Sequence, residues 1–271
     1  MLLSQQIAAH IPYLRRYARA LTGSQESGDA YVLTLLEAIV EDSSILPRDR
    51  DARVALYQVF SRLWASVALN CAPLSSEAFF EKQDFSQFTK IAKLTPLSRQ
   101  AVLLLYVEGF TRPEVCAIMN IGESRLEALL EEATQEFAQD EPAQVLIIED
   151  EELISADLAY IVKDLGHSVM GVARTRDEAL ILAASRQPGM ILADIQLADG
   201  SSGMDAVKAI TRDNDTPSIF ITAYPEKYLS GDKPEPTFLI TKPYKVETVM
   251  ATINQVLFLA RKRADLAPAL H

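Results

Sequence analysis

Five side chains, far apart in the chain, have the types needed to move a phosphoryl group. Glu149 and Asp150 follow the apolar run Leu146-Ile147-Ile148, and Asp194 closes the run Ile191-Leu192-Ala193. Thr222 closes Phe220-Ile221, and Lys242 follows Leu239-Ile240-Thr241 just before Pro243. Clustered carboxylates repel, and a divalent cation relieves the repulsion. Mg²⁺ takes near-octahedral oxygen ligands at about 2.0–2.1 Å and keeps several waters. Asp150, Asp194 and the backbone carbonyl of Gln196 could supply its protein ligands, with Glu149 acting through water. Asp194 could then attack phosphorus as a carboxylate nucleophile, while the cation offsets charge on the transferring oxygens. The Thr222 hydroxyl and the Lys242 ammonium suit the phosphoryl oxygens. The Lys242-Pro243 peptide is a candidate cis bond, because X-Pro has the smallest trans preference.

For these groups to meet, one edge of one sheet must carry them. Short apolar runs at Gln144–Ile148, Val169–Ala173, Met190–Ala193, Ser218–Thr222 and Thr237–Thr241 alternate with stretches of helical periodicity. Five such strands predict a parallel sheet covered by helices on both faces. Sites in open α/β sheets form at the carboxyl ends of strands, where the strand order reverses. With the acid pair, the central aspartate, the threonine and Lys-Pro in this order, residues 144–262 resemble a response-regulator receiver domain. The resemblance implies an α/β flavodoxin-like receiver over residues 144–271, with Asp194 as phosphoacceptor, a histidine kinase as phosphodonor and Mg²⁺ as cofactor. It implies no enzyme beyond Mg-dependent self-phosphorylation and slow autodephosphorylation. One departure is that receivers typically carry an aromatic switch residue three positions before the lysine, where this chain has Leu239. The aromatic after the threonine, Tyr224, is displaced as well.

Upstream, the pattern is all-α over residues 1–138, ending at a polar, proline-containing linker, residues 139–143. Residues 1–65 carry helical periodicity with Tyr13, Tyr17, Tyr31, Tyr57, Phe60 and Trp64. Residues 66–91 connect, broken at Cys71-Ala72-Pro73. Their patch of Phe79, Phe80, Phe85 and Phe88 is expected to pack as a short helix. Residues 92–138 open with Thr95 as N-cap and Pro96 in the first turn. Helices over Ala101–Tyr106, Arg112–Asn120 and Arg125–Phe137, joined by short turns, make a helix-turn-helix, with Leu126, Leu129, Leu130 and Ala133 on one face of the last. This segment resembles region four of extracytoplasmic-function sigma factors. Tyr13–Gly23 and Arg53–Trp64 resemble their region two.

Charge separates this chain from a promoter reader. Its 26 basic and 37 acidic residues give a net charge of −11, split as 13 against 17 in residues 1–138 and 13 against 20 in residues 139–271. A recognition helix needs Arg or Lys for phosphates and polar groups for base edges. Between Thr111 and Phe137 only Arg112 and Arg125 are basic, against Glu114, Glu123, Glu127, Glu131, Glu132 and Glu136. The acid-rich polymerase-binding stretch of sigma region two is replaced by Ala30-Tyr31-Val32-Leu33-Thr34. Arg15, Arg16 and Arg19 are expected to form a solvated stripe. A sigma shape without DNA chemistry suggests binding to a protein that recognises sigma factors.

A sigma-like module followed by a receiver is the arrangement of the alphaproteobacterial general stress response regulators, which this chain resembles. The resemblance implies an anti-anti-sigma factor acting by partner switching. Phosphorylation of Asp194 releases the sigma-like domain from the receiver, and that domain sequesters an anti-sigma factor of the NepR type by sigma mimicry, freeing a stress sigma factor. DNA binding is not expected. The competing readings are a DNA-binding response regulator or a working extracytoplasmic-function sigma factor, and a receiver serving as a phosphate sink.

Other classes find little support. An apolar run such as Val102–Val107 is far short of the ~18 residues of a membrane span. The N-terminus has no basic residue before its apolar positions, so it does not read as a secretion signal. A cytoplasmic protein with Cys71 and Cys116 as buried, reduced thiols is expected. His10, His167 and His271 are scattered and suggest no zinc site.

Overall fold

The computed structural model describes residues 3–69, 95–137, 141–231 and 234–266. The helical part begins with α1 (Leu3–Ala8), α2 (Ile11–Thr22), α3 (Gln25–Glu41) and α4 (Ala52–Leu69). A proline opens α2, and Gly23, at a left-handed φ of 67°, ends it. Ser24 then caps α3 by accepting from the Ser27 amide. The two helices touch closely at Gly28, where a Cβ would lie 2.6 Å from the Arg19 backbone nitrogen. The core is aromatic: Tyr31 and Trp64 rings lie 5.1 Å apart, and Tyr17 and Tyr57 5.5 Å apart, in tilted pairs.

The expected helix-turn-helix follows as α5 (Leu97–Val102), α6 (Arg112–Met119) and α7 (Glu123–Phe137). Two local details differ from expectation. Pro96, not Thr95, occupies the N-cap position of α5, because the Thr95 hydroxyl donates to the Leu21 carbonyl at 2.7 Å instead. The helix also does not continue as α over Leu103–Val107. It widens to a π-turn, closed by the Glu108 amide donating to the Leu103 carbonyl at 2.9 Å. The α6 N-terminus carries a capping box, with the Thr111 amide donating to Glu114 at 2.7 Å. Along α7, Leu126, Leu129 and Ala133 are buried and Leu130 is half-buried.

The arginine stripe of α2 corrects an expectation. Arg16 and Arg19 are buried, not solvated. Buried guanidinium groups need partners, and both have them. Arg16 Nε donates to Glu108 at 3.0 Å, and Arg19 makes a two-pronged contact with Asp29, both arms 2.8 Å. Sequence spacing cannot show this, because Glu108 is 92 residues from Arg16.

The second part is a parallel sheet in the order β2-β1-β3-β4-β5, built from β1 (Gln144–Ile148), β2 (Ser168–Ala173), β3 (Met190–Asp194), β4 (Ser218–Thr222) and β5 (Leu239–Thr241). This is the flavodoxin-like order, which reverses between β1 and β3. The crossovers are α8 (Glu152–Asp164), α9 (Arg176–Ser185) and α10 (Gly203–Ile210), and α11 (Val246–Leu266) closes the fold. Every residue of β3 is buried, as suits a central strand covered on both faces.

The chain divides into one unit of residues 1–136 with 229–237, and a second of residues 137–228 with 238–271. The short segment Leu229–Thr237, placed in the receiver by its sequence position, thus groups with the helices. There Glu235 Oε2 accepts from Arg19 at 2.7 Å, and the Glu235 amide donates to Gln25 at 2.8 Å. Gly231, at φ 85°, lies where a Cβ would come within 2.6 Å of the Arg15 guanidinium.

Cys71, the phenylalanine patch and most of the connecting segment lie outside the described residues, as do residues 138–140 of the junction. Cys116 is half-buried, where a buried thiol was expected. Among the described residues, no helix is long and apolar enough to cross a membrane.

Candidate functional site

The carboxyl ends of β1, β3 and β5 bring the singled-out residues together. One carboxylate oxygen from each of Glu149, Asp150 and Asp194 lies within 4.8 Å of the others. Glu149 is fully buried, Asp194 nearly so, and Asp150 half-buried. Lys242, at the end of β5, reaches across the strand-order reversal. Its Nζ donates to Asp194 Oδ2 at 2.6 Å and to Glu149 Oε2 at 2.9 Å, with Glu151 at 3.6 Å. The Lys242-Pro243 peptide is cis.

The electrostatics follow from burial. Burial pushes the Glu149 carboxyl up from its ordinary value, the hydrogen bond and charge of Lys242 oppose that, and the Asp194 charge adds to it. For Lys242, burial alone would lower the ammonium. Its hydrogen bonds to Asp194 and Glu149 outweigh this and raise it, so it stays charged.

The remaining predicted residues surround this cluster. Thr222 is buried at the end of β4, its Oγ1 accepting from the Tyr224 amide at 3.1 Å. The Gln196 amide donates to Asp194 Oδ1 at 3.0 Å, which fixes the carboxylate from the side opposite Lys242. Leu239 is buried, and Tyr224 is exposed with the Lys227 ammonium 4.4 Å from its ring centroid. Two contributors escape the sequence reading. Glu151 adds an acid near Lys242, hidden within the run Glu149–Glu152. Gly203 opens α10 so close to β3 that a Cβ would fall 1.8 Å from the Asp194 carbonyl oxygen. Its only signal is the glycine- and serine-rich turn Gly200-Ser201-Ser202-Gly203.

The donor set suits a hard, oxygen-seeking cation: three convergent carboxylates, with no histidine or thiol among them. A carboxylate placed beside such a cation and an ammonium is suited to accepting a phosphoryl group.

This sheet order, with an acidic site at its reversal and a helix-turn-helix unit ahead of it, defines a response regulator. Three family models match in succession: the sigma2 domain of PhyR over residues 7–61, the sigma-like domain of the response regulator PhyR over 91–140, and the response regulator receiver domain over 145–254. The phyllosphere-induced regulator PhyR of Methylorubrum extorquens is 47% identical over 267 residues, covering 97% of this chain and 98% of the relative. The response regulator PhyR from Brucella abortus superposes with a TM-score of 0.87 at 45% identity, over 100% of both chains. The anti-anti-sigma factor PhyR from Bartonella quintana gives 0.86 at 45% identity, covering 98% of this chain and 100% of that one. The chain belongs to the PhyR family of response regulators.

Proposed function

We propose that this protein is a phosphorylation-controlled anti-anti-sigma factor of the cytoplasm, with Asp194 as its phosphoacceptor. The observation that carries the sigma-mimic half is the state of the helix-turn-helix arginines. Arg112 pairs with Glu127 at 3.6 Å and Glu123 at 4.0 Å, and Arg125 pairs with Glu132 at 2.8 Å. Both basic groups that could meet DNA phosphates already face acids, on a surface of exposed glutamates. Such a face repels a duplex, whose binding depends on cationic contacts to phosphate. A sigma-shaped unit of this charge suits a protein that itself recognises sigma factors, namely an anti-sigma factor of the NepR type. The Bartonella relative is described as an anti-anti-sigma factor, which agrees with this reading.

In the receiver, Asp150, Asp194 and the Gln196 carbonyl would hold Mg²⁺, with Glu149 acting through water, and the ion would neutralise charge on the transferring oxygens. An Asp194 carboxylate oxygen bonds to phosphorus as the bond from phosphorus to the donor breaks, its electron pair leaving with the donor imidazole of a histidine kinase or with acetate from acetyl phosphate. Lys242 then shifts from the carboxylate to a phosphoryl oxygen, and Thr222 turns its hydroxyl toward another. The new group brings about 1.5 to 2 negative charges.

The segment Leu229–Thr237 follows one of these residues in the chain and precedes the other. It lies between β4, which ends at Thr222, and β5, which Lys242 follows, while its Glu235 accepts from Arg19. Phosphorylation shifts the chain toward the form in which the sigma-like helices are free to bind. Moving such an equilibrium from 1:99 to 99:1 takes about 5.5 kcal/mol, shared between phosphoryl contacts and partner binding.

The test is co-purification of the full chain with a NepR-type anti-sigma factor, with and without acetyl phosphate and Mg²⁺. Binding should rise on phosphorylation in the wild type and not in Asp194→Ala. Equal binding by both proteins under phosphorylating conditions would remove the switch.

A further inference from the structure

The helical unit holds a buried charged group that phosphotransfer does not use. Glu108 sits on the turn that follows the π-segment, and its side chain is fully buried. Its Oε1 accepts from Arg16 Nε of α2 at 3.0 Å, and its Oε2 accepts from the Tyr57 hydroxyl of α4 at 2.8 Å. Arg53, one turn before Tyr57, lies 3.9 Å from Oε2 and donates to the Glu108 carbonyl. Arg16 also donates to the neighbouring Val107 carbonyl at 3.2 Å. Phe110 completes the group: the Arg53 guanidinium stacks 4.0 Å above its ring centroid, and Tyr57 meets it edge-on at 4.8 Å.

Arg16, Arg53 and Tyr57 come from residues 7–61, the span matched by the sigma2 model, whereas Val107, Glu108 and Phe110 belong to residues 91–140, matched by the sigma-like model. Glu108 is therefore shared between two modules separated by 92, 55 and 51 positions from its partners. A buried carboxylate that loses such partners is left with an uncompensated charge, a severe penalty. The π-turn supplies the placement. Its wider hydrogen-bond spacing swings the chain so that Glu108 points at α2 and α4, and Gly109, at φ 71°, reverses the backbone to bring Phe110 under Arg53.

We propose that Glu108 is a positioning residue that clamps the second helical module to the first, so that both present one preformed surface to the anti-sigma factor. The clamp rests on the anti-anti-sigma reading only for the identity of the partner. Its mechanical part, one fixed arrangement of two modules, stands separately. Preorganisation raises affinity by removing the ordering cost from the binding step. Loss of the clamp should therefore weaken binding without touching Asp194 chemistry.

Paired spin labels on the full chain test it, at Val40→Cys and Glu131→Cys, both exposed positions, with Cys71 and Cys116 replaced by serine. The Glu108 background should give one narrow distance distribution, and Glu108→Gln a broad one, with far-ultraviolet circular dichroism unchanged. Phosphorylated Glu108→Gln should bind a NepR-type anti-sigma factor at least about tenfold more weakly, with unaltered phosphoryl incorporation from acetyl phosphate. If Glu108→Gln fails to fold, Tyr57→Phe removes one bond to the same carboxylate and should shift both readouts in the same direction by less. An unchanged distance distribution overturns the clamp. A broadened distribution with wild-type affinity overturns the preformed surface. Failure of the unsubstituted chain to bind the anti-sigma factor counts against the partner reading alone, since the distances still report on the clamp.

Discussion

At the scale of single residues, the site is an arrangement in which one ammonium holds two buried carboxylates. Asp194→Asn keeps shape and removes the proposed nucleophile, so incorporation of phosphoryl from acetyl phosphate should vanish on a phosphate-affinity gel. Chelation of Mg²⁺ with EDTA should abolish it equally in the wild type. Gly203 makes a less obvious prediction. A methyl group there would fall 1.8 Å from the Asp194 carbonyl oxygen, so α10 or the end of β3 must move. Gly203→Ala is expected to cost about 1–3 kcal/mol of stability and to slow phosphorylation, read by denaturant titration and by the same gel. The acids, threonine and lysine were legible in the sequence because each ends an apolar run. Gly203 was not, because its importance is a distance to a backbone atom of another element.

At the scale of elements, two of the contacts that hold α2 can be tested by substitution. Gly28 lets α3 approach α2, with 2.6 Å between a would-be Cβ and the Arg19 nitrogen. Gly28→Ala should therefore lower the unfolding midpoint of the helical unit, by about 1–3 kcal/mol of strain. Emission from Trp64, the sole tryptophan, reports on that unit. The other contact is Glu235 on Arg19. Burial acts to raise the Glu235 carboxyl, but hydrogen bonds from Ser230, Arg19 and Gly231 outweigh it and hold the group below its ordinary 4.5. A carboxyl depressed in the folded state contributes stability that is fully present above its unfolded value and is lost as pH falls through the folded value. Urea midpoints followed through Trp64 should fall less between pH 5 and pH 3 in Glu235→Gln than in the wild type. The strand pattern announced the sheet correctly, and the helical periodicity announced the helix-turn-helix. The burial of Arg16 and Arg19 stayed hidden, because an arginine on a helix looks the same in sequence whether water or a distant carboxylate faces it.

At the scale of the whole molecule, a sigma-like unit with a net acidic face is joined to a receiver. The full chain should show no salt-sensitive retention of promoter DNA in a gel-shift assay at about 50 mM salt, with or without acetyl phosphate, where a working sigma domain would bind through phosphate contacts. Sequence alone determined the class of each part and the strand ends at which the acidic site lies. Strand-end carboxylates, helix periodicity and the sign of charge are local properties that any chain displays in order. Only tertiary structure decided which residues hold those parts: Glu108 shared by two modules, Gly203 against Asp194, and the segment 229–237 joined to the helices instead of the sheet that flanks it. Those depend on which buried charge finds which partner across many tens of residues. Burial makes that choice energetically strict, but nothing in the local pattern of the chain records it.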